Sequence, residues 1–119
     1  MIKLLKEHFI PLIILCLTNL GDTITTLIGV NKYGIECEQN QFILKLLKES
    51  FAIFIFHKLI ILPLFIFSLC LLLDIVSYQL RDYCIIKIQI IIRIMNICLY
   101  LCALFYLLII IHNIYQLYY

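Results

Sequence analysis

The chain has 119 residues, of which 66% are hydrophobic and only 13% charged, with a formal net charge of +2. Its mean hydropathy of +1.14 leaves too little polar surface to cover a water-soluble fold, where about a quarter of residues are charged. The composition therefore excludes a soluble domain, and the small net charge, spread over the flanks of apolar segments, excludes a nucleic-acid interface.

A span needs roughly 20 mostly apolar residues to cross the hydrocarbon core. Three such windows lie between charged clusters: about residues 9–30, 51–78 and 95–115. The predicted fold is all-α, a single integral membrane domain over 1–119 built as a helical bundle of about three transmembrane helices. Lys3 and Lys6 precede the first window in the manner of a secretory signal, but the apolar run exceeds signal length and no small-residue cleavage site follows it. Span one is expected to remain in the protein. Pro11 falls where a missing donor is tolerated, whereas Pro63 predicts a kink in span two.

The connector divides into a polar turn, 31–40, and an amphipathic piece, 41–49. Phe42, Leu46 and Leu47 in that piece can face lipid while Lys45, Lys48 and Glu49 face headgroups, as in an interfacial helix. The alternative is an early first turn of span two. Helix three is expected to begin near residue 84, because Lys87, Gln89 and Arg93 mark an interfacial extension ahead of the crossing segment. Lys3, Lys6, Arg81 and Lys87 fall on one side of a three-span topology, and the tail after His112 has no Lys or Arg. The positive-inside rule then places the N-terminus in the cytoplasm, in a multi-pass protein of the cell membrane. Tyr115, Tyr118 and Tyr119 suit an interfacial aromatic belt.

Polarity inside span one carries the functional signal. Asn19, Asp22, Thr23 and Thr26 follow helical spacing and share one face, which in lipid must point into protein. An intramembrane acid is by default a functional-site candidate. Asp22 lies eight residues before residue 30 and Lys58 eight residues after Ser50, so both sit about 12 Å from the same interface. Antiparallel neighbours would bring them to one level as an ion pair. Gly34 suits a positive φ where the chain leaves span one, and Asn40 suits an N-cap for the next helix. Glu36 and Glu38 would then fold over the pair, giving one polar cluster of Asn19, Asp22, Thr23, Thr26, Glu36, Glu38, Asn40, His57 and Lys58. A further polar stripe on helix three, Gln89, Arg93, Asn96 and Tyr100, either lines the same interior or meets lipid headgroups.

These segments resemble a family of small, largely archaeal and bacterial membrane proteins catalogued as a domain of unknown function. Asn19-Leu-Gly-Asp22-Thr-Ile-Thr-Thr26 is similar to the family's Asn-x-x-Asp-x-x-x-Thr. Tyr33-Gly34-Ile-Glu36-Cys-Glu38-Gln-Asn40 is similar to its Tyr-Gly-x-Glu-x-Glu-x-Asn-Pro, with Gln41 in place of the proline. Lys58 matches a lysine of the family's second span. The resemblance covers about residues 15–60; it implies a three-helix membrane domain and brings no substrate.

Six cysteines, at 16, 37, 70, 84, 98 and 102, form no Cys-x-x-Cys. Cys98 and Cys102 share a helix face and are read as small packing residues. His57 and His112 sit at compatible depth for a bis-histidine metal or haem site, a minor reading. No phosphate loop, nucleophile elbow or His-Glu-x-x-His helix is present. No catalytic residue, metal site or cofactor is assigned. The leading expectation is a noncatalytic accessory or structural subunit, whose partners are the lipid bilayer and other membrane subunits or further copies of itself. The alternatives are an ion or small-solute translocating oligomer that uses the Asp22–Lys58 cluster and, less favoured, an intramembrane metal- or haem-dependent enzyme.

Overall fold

The structure is a computed structural model that describes the backbone of residues 2–80 and 85–119 and the side chains of residues 6–80 and 88–119. Arg81 and Cys84 lie outside the described residues, as do the side chains of Lys3 and Lys87. The described chain is helical: α1 (Ile2–Tyr33), a 3-10 turn (Ile35–Cys37), α2 (Gln41–Glu49), α3 (Phe51–Phe56), a π turn (His57–Ile61), α4 (Leu62–Gln79) and α5 (Ile85–Tyr118). Among the described residues no strand occurs. Three helical stretches are long and apolar enough to cross a membrane: Lys6–Tyr33, Phe51–Gln79 and Ile88–Tyr118. The chain is a multi-pass membrane protein, and its spans run a few residues beyond the apolar windows.

Pairings across the bundle fix its register. His8 meets Asn96 and Thr25 meets Asn113, both 88 residues apart, so α1 and α5 run parallel with no slip between them. Asp22 meets Lys58, while His8, earlier on α1, meets Asp74, later in span two. Residue numbers that rise on one helix as they fall on the other describe an antiparallel pair. The result is an up-down-up bundle in which α1 is flanked by both other spans. It approaches α5 closely at Gly21, where a Cβ would lie 2.9 Å from Ile110 Cδ1.

Two apolar clusters fill the space between polar contacts. Leu15, Cys70, Leu99 and Ala103 bring all three spans together at mid-bundle. Val30, Leu47 and Phe54 form the second cluster, at the end where α1 leaves the bundle. That second cluster corrects the expected orientation of the amphipathic piece. Gln41–Glu49 is a helix of its own, separated from α3 by extended Ser50, and its Leu47 is 2% exposed against α1 and α3 instead of facing lipid. Leu46 packs on the same cluster, and of the three only Phe42 is left largely exposed. A short connector holds α2 over the helix ends, where protein contacts replace lipid.

The irregularity expected near Pro63 is a π turn. There the amide of Leu62 bonds to the carbonyl of His57, five residues back. In that register the carbonyl of Lys58 would next receive an N–H from residue 63. Proline has none. The amide of Asn19 on α1 supplies the donor instead, Nδ2 to Lys58 O at 2.6 Å.

Parallel, in-register packing of α1 on α5 has a direct test. In a background with native cysteines replaced by serine, Gly21→Cys with Ile110→Cys should crosslink under mild oxidation in membranes. Failure to crosslink would contradict the register.

Candidate functional site

Two buried polar centres lie along α1, on either side of the mid-bundle apolar cluster. The first begins with helical spacing, which sets Asn19, Asp22 and Thr23 on a buried face of α1, where they are 2%, 4% and 2% exposed. Lys58 reaches Asp22 from the π turn, with Nζ 2.6 Å from Oδ2. The same ammonium lies 4.9 Å from the ring centroid of Tyr106 on α5. Three spans thus converge on one cation. Burial removes water from both charges, so the pair is held by mutual attraction at low dielectric. Thr23 and Thr25 return their hydroxyls to the carbonyls of Asn19 and Asp22, and Asn113 donates from α5 to Thr25 Oγ1 at 3.1 Å.

An open cavity of about 330 Å³ borders this pair, between span two and α5. Thr26, Glu38, Asn40 and His57 line it together with Asp22 and Lys58. Glu38 and Asn40 are positioned locally. Gly34, at φ 90°, turns the chain out of α1, and the following 3-10 turn brings Glu38 back over the bundle. Glu38 Oε1 accepts from the amide of Asn40 at 2.8 Å, and the Asn40 side chain in turn accepts from the amides of Phe42 and Ile43 to cap α2. His57 packs edge-on against Phe42, with centroids 5.2 Å apart. A larger open cavity of about 590 Å³ adjoins the first through shared walls at Glu38, Asn40 and Asn113. Lys32 and Tyr33 lie at its level and donate to the carbonyl of Leu117, satisfying the last turn of α5.

Several predicted members stand apart. Glu36 is exposed and lines neither cavity, because the 3-10 turn points Glu36 and Glu38 to different sides. Of the α5 stripe only Asn96 enters the bundle; Gln89 and Arg93 are exposed and do not share the interior. Cys98 and Cys102 are exposed as well, so they do not pack helices together. Their face of α5 points away from α1, which takes Leu99 and Ala103 instead. His57 and His112 line different cavities, and no group of three or more candidate metal-ligating side chains occurs among the described residues.

The second centre comprises His8, Asp74 and Asn96, with His8 and Asp74 each 1% exposed. Asn96 donates to the carbonyl of Glu7 and accepts from His8 Nδ1 at 2.6 Å, which fixes the proton on that nitrogen. His8 Nε2 then faces Asp74 Oδ1 at 3.3 Å. Asp74 escaped the motif reading because it has no polar stripe beside it. The available signal was depth: His8 lies near the start of span one and Asp74 near the end of span two, the same matching that brings Asp22 to Lys58. Thr25, Tyr106 and Asn113 likewise enter the first centre without a motif.

No family model, curated protein or solved structure matches the chain. The geometry of its own residues therefore carries the functional reading.

A double-mutant cycle tests the first centre. Asp22→Asn and Lys58→Met should each lower stability by about 3 to 5 kcal/mol, because each leaves a buried charge uncompensated. The double variant should recover much of that loss, read as the fraction folded in detergent during a denaturant titration. Strict additivity would show that the two side chains do not interact.

Proposed function

We propose that the chain is a noncatalytic accessory or structural subunit of the cell membrane, acting through association with other membrane subunits or with further copies of itself. The observation that supports this most directly is the Asp22–Lys58 pair: 2.6 Å apart, buried and contributed by two helices, so that each charge is committed to the other. Each charge is neutralised by the other and joins α1 to span two, which is the arrangement of a structural staple. Asp74 is a second buried acid, set 3.3 Å from His8 Nε2 without a hydrogen bond to either carboxylate oxygen among the described residues. We place the N-terminus in the cytoplasm, on the strength of the basic flanks at Lys3, Lys6, Arg81 and Lys87. On this reading the Asn-x-x-Asp and Tyr-Gly-x-Glu-x-Glu-x-Asn segments, shared by resemblance with the family of unknown function, encode a buried staple and the turn above it.

One observation favours translocation by an oligomer as a second reading: the 330 Å³ cavity reaches the ion pair from the bundle end at Asn40. The apolar cluster of Leu15, Cys70, Leu99 and Ala103 separates that end from the His8–Asp74 centre, and a monomeric path would have to pass it.

Purification of the tagged chain in mild detergent, followed by reconstitution, separates these readings. The accessory reading expects stable association, with stoichiometric partner subunits or as a defined homo-oligomer, and no ion or proton flux in liposomes. Flux that disappears in the Asp22→Asn, Lys58→Met double variant would overturn it in favour of translocation.

A further inference from the structure

We propose that the cavity between span two and α5 binds an organic ammonium group, with Glu38 as its counter-ion and aromatic rings as its walls. The site goes beyond the accessory reading and does not depend on any partner subunit. Five titratable groups line the cavity: Asp22, Lys58, Glu38, His57 and Tyr106. Lys58 cancels Asp22 across 2.6 Å, so the floor carries a dipole and no net charge. Glu38 is the carboxylate of this lining that no ion pair engages, and it sets the sign of the field. No cation lies within ion-pair distance of Glu38 among the described residues.

Glu38 is also held in place. Its Oε1 takes the amide of Asn40, whose side chain caps α2, so the carboxylate is fixed to a helix end and not left on a mobile loop. Phe42, Phe105 and Tyr106 line the same space. Lys58 lies over the Tyr106 ring, the arrangement that aromatic faces offer to cations, while the Phe42 and Phe105 side chains border the cavity beside it. A small tetraalkylammonium or a protonated amine suits such a lining, because its charge is diffuse and its shell is apolar. An anion would meet Glu38, and a hard metal ion would find few oxygen donors among phenyl rings. At about 330 Å³ the cavity has the size of a small-ligand site.

The same headgroup chemistry comes from two sources, a free solute such as choline or ethanolamine, or the headgroup of a choline or ethanolamine phospholipid entering from the bilayer side. Both are read with the full chain in nanodiscs of phosphatidylglycerol. Choline is titrated by calorimetry against its neutral isostere 3,3-dimethylbutan-1-ol, and native mass spectrometry follows retention of phosphatidylcholine or phosphatidylethanolamine doped into the discs.

A free-solute site is expected to bind choline and not the isostere; a headgroup site is expected to retain the doped lipids over phosphatidylglycerol. In either case Glu38→Gln should weaken binding by about tenfold or more, Phe105→Leu by about threefold to tenfold, and Glu36→Gln by nothing measurable. Should Glu38→Gln fail to fold, Phe105→Leu together with the choline-to-isostere ratio decides the matter. Equal binding of choline and its isostere, insensitivity to Glu38→Gln in a folded variant, or neither choline binding nor lipid retention would overturn the proposal.

Discussion

The bilayer interior supplies no water to solvate a charge, and the whole bundle is organised around that constraint. Asp22 on α1 and Lys58 on span two are each expensive in hydrocarbon, at about 2.5 to 3.5 kcal/mol on insertion scales, and each is the other's means of relief. Their meeting requires two spans to run antiparallel at one particular register. Once that register is set, His8 arrives opposite Asp74. Two contacts well separated along α1 define an axis, and slip between the helices would break both.

A backbone irregularity makes the first contact complete. Pro63 withholds a donor from span two at the point where the π turn shifts the bonding register, and the carbonyl of Lys58 takes the amide of Asn19. Asn19 thus binds the backbone of the residue whose side chain Asp22 holds, three positions along α1. The α1–α5 interface uses weaker, neutral contacts at His8–Asn96 and Thr25–Asn113, together with close approach at Gly21. Such hydrogen bonds contribute modestly in membranes, so shape must supply much of the rest. The mid-bundle cluster, with Cys70 and Ala103 as its small members, shows where it does so.

The residues that declared themselves in the sequence are those whose polarity conflicts with their surroundings. Asp22 and Lys58 interrupt apolar runs, and equal depth alone matched them. Gly34 and Asn40 were legible because a positive φ and an N-cap each demand particular side chains. What was not legible is azimuth. Glu36 and Glu38 look equivalent in sequence, yet a 3-10 turn sends only Glu38 to the cavity. Gln89, Arg93 and Asn96 share helical spacing, yet only Asn96 reaches α1, because periodicity gives a face without saying which neighbour will cover it. Leu46 and Leu47 resemble lipid-facing residues for the same reason; an apolar face packs equally well on lipid or on protein, and the folded-back connector decides.

The division of charge between the centres and the rim bears on what the molecule can recognise. A neutral ion pair attracts neither sign strongly at a distance, since the fields of Asp22 and Lys58 largely cancel beyond their own separation. Specificity toward a charged group at the cavity therefore passes to a residue outside that pair, Glu38. Its position on a capped turn allows the recognition element to change while the staple beneath it stays intact. Stability and selectivity are in this way carried by different carboxylates, one at the centre of the bundle and one at its edge.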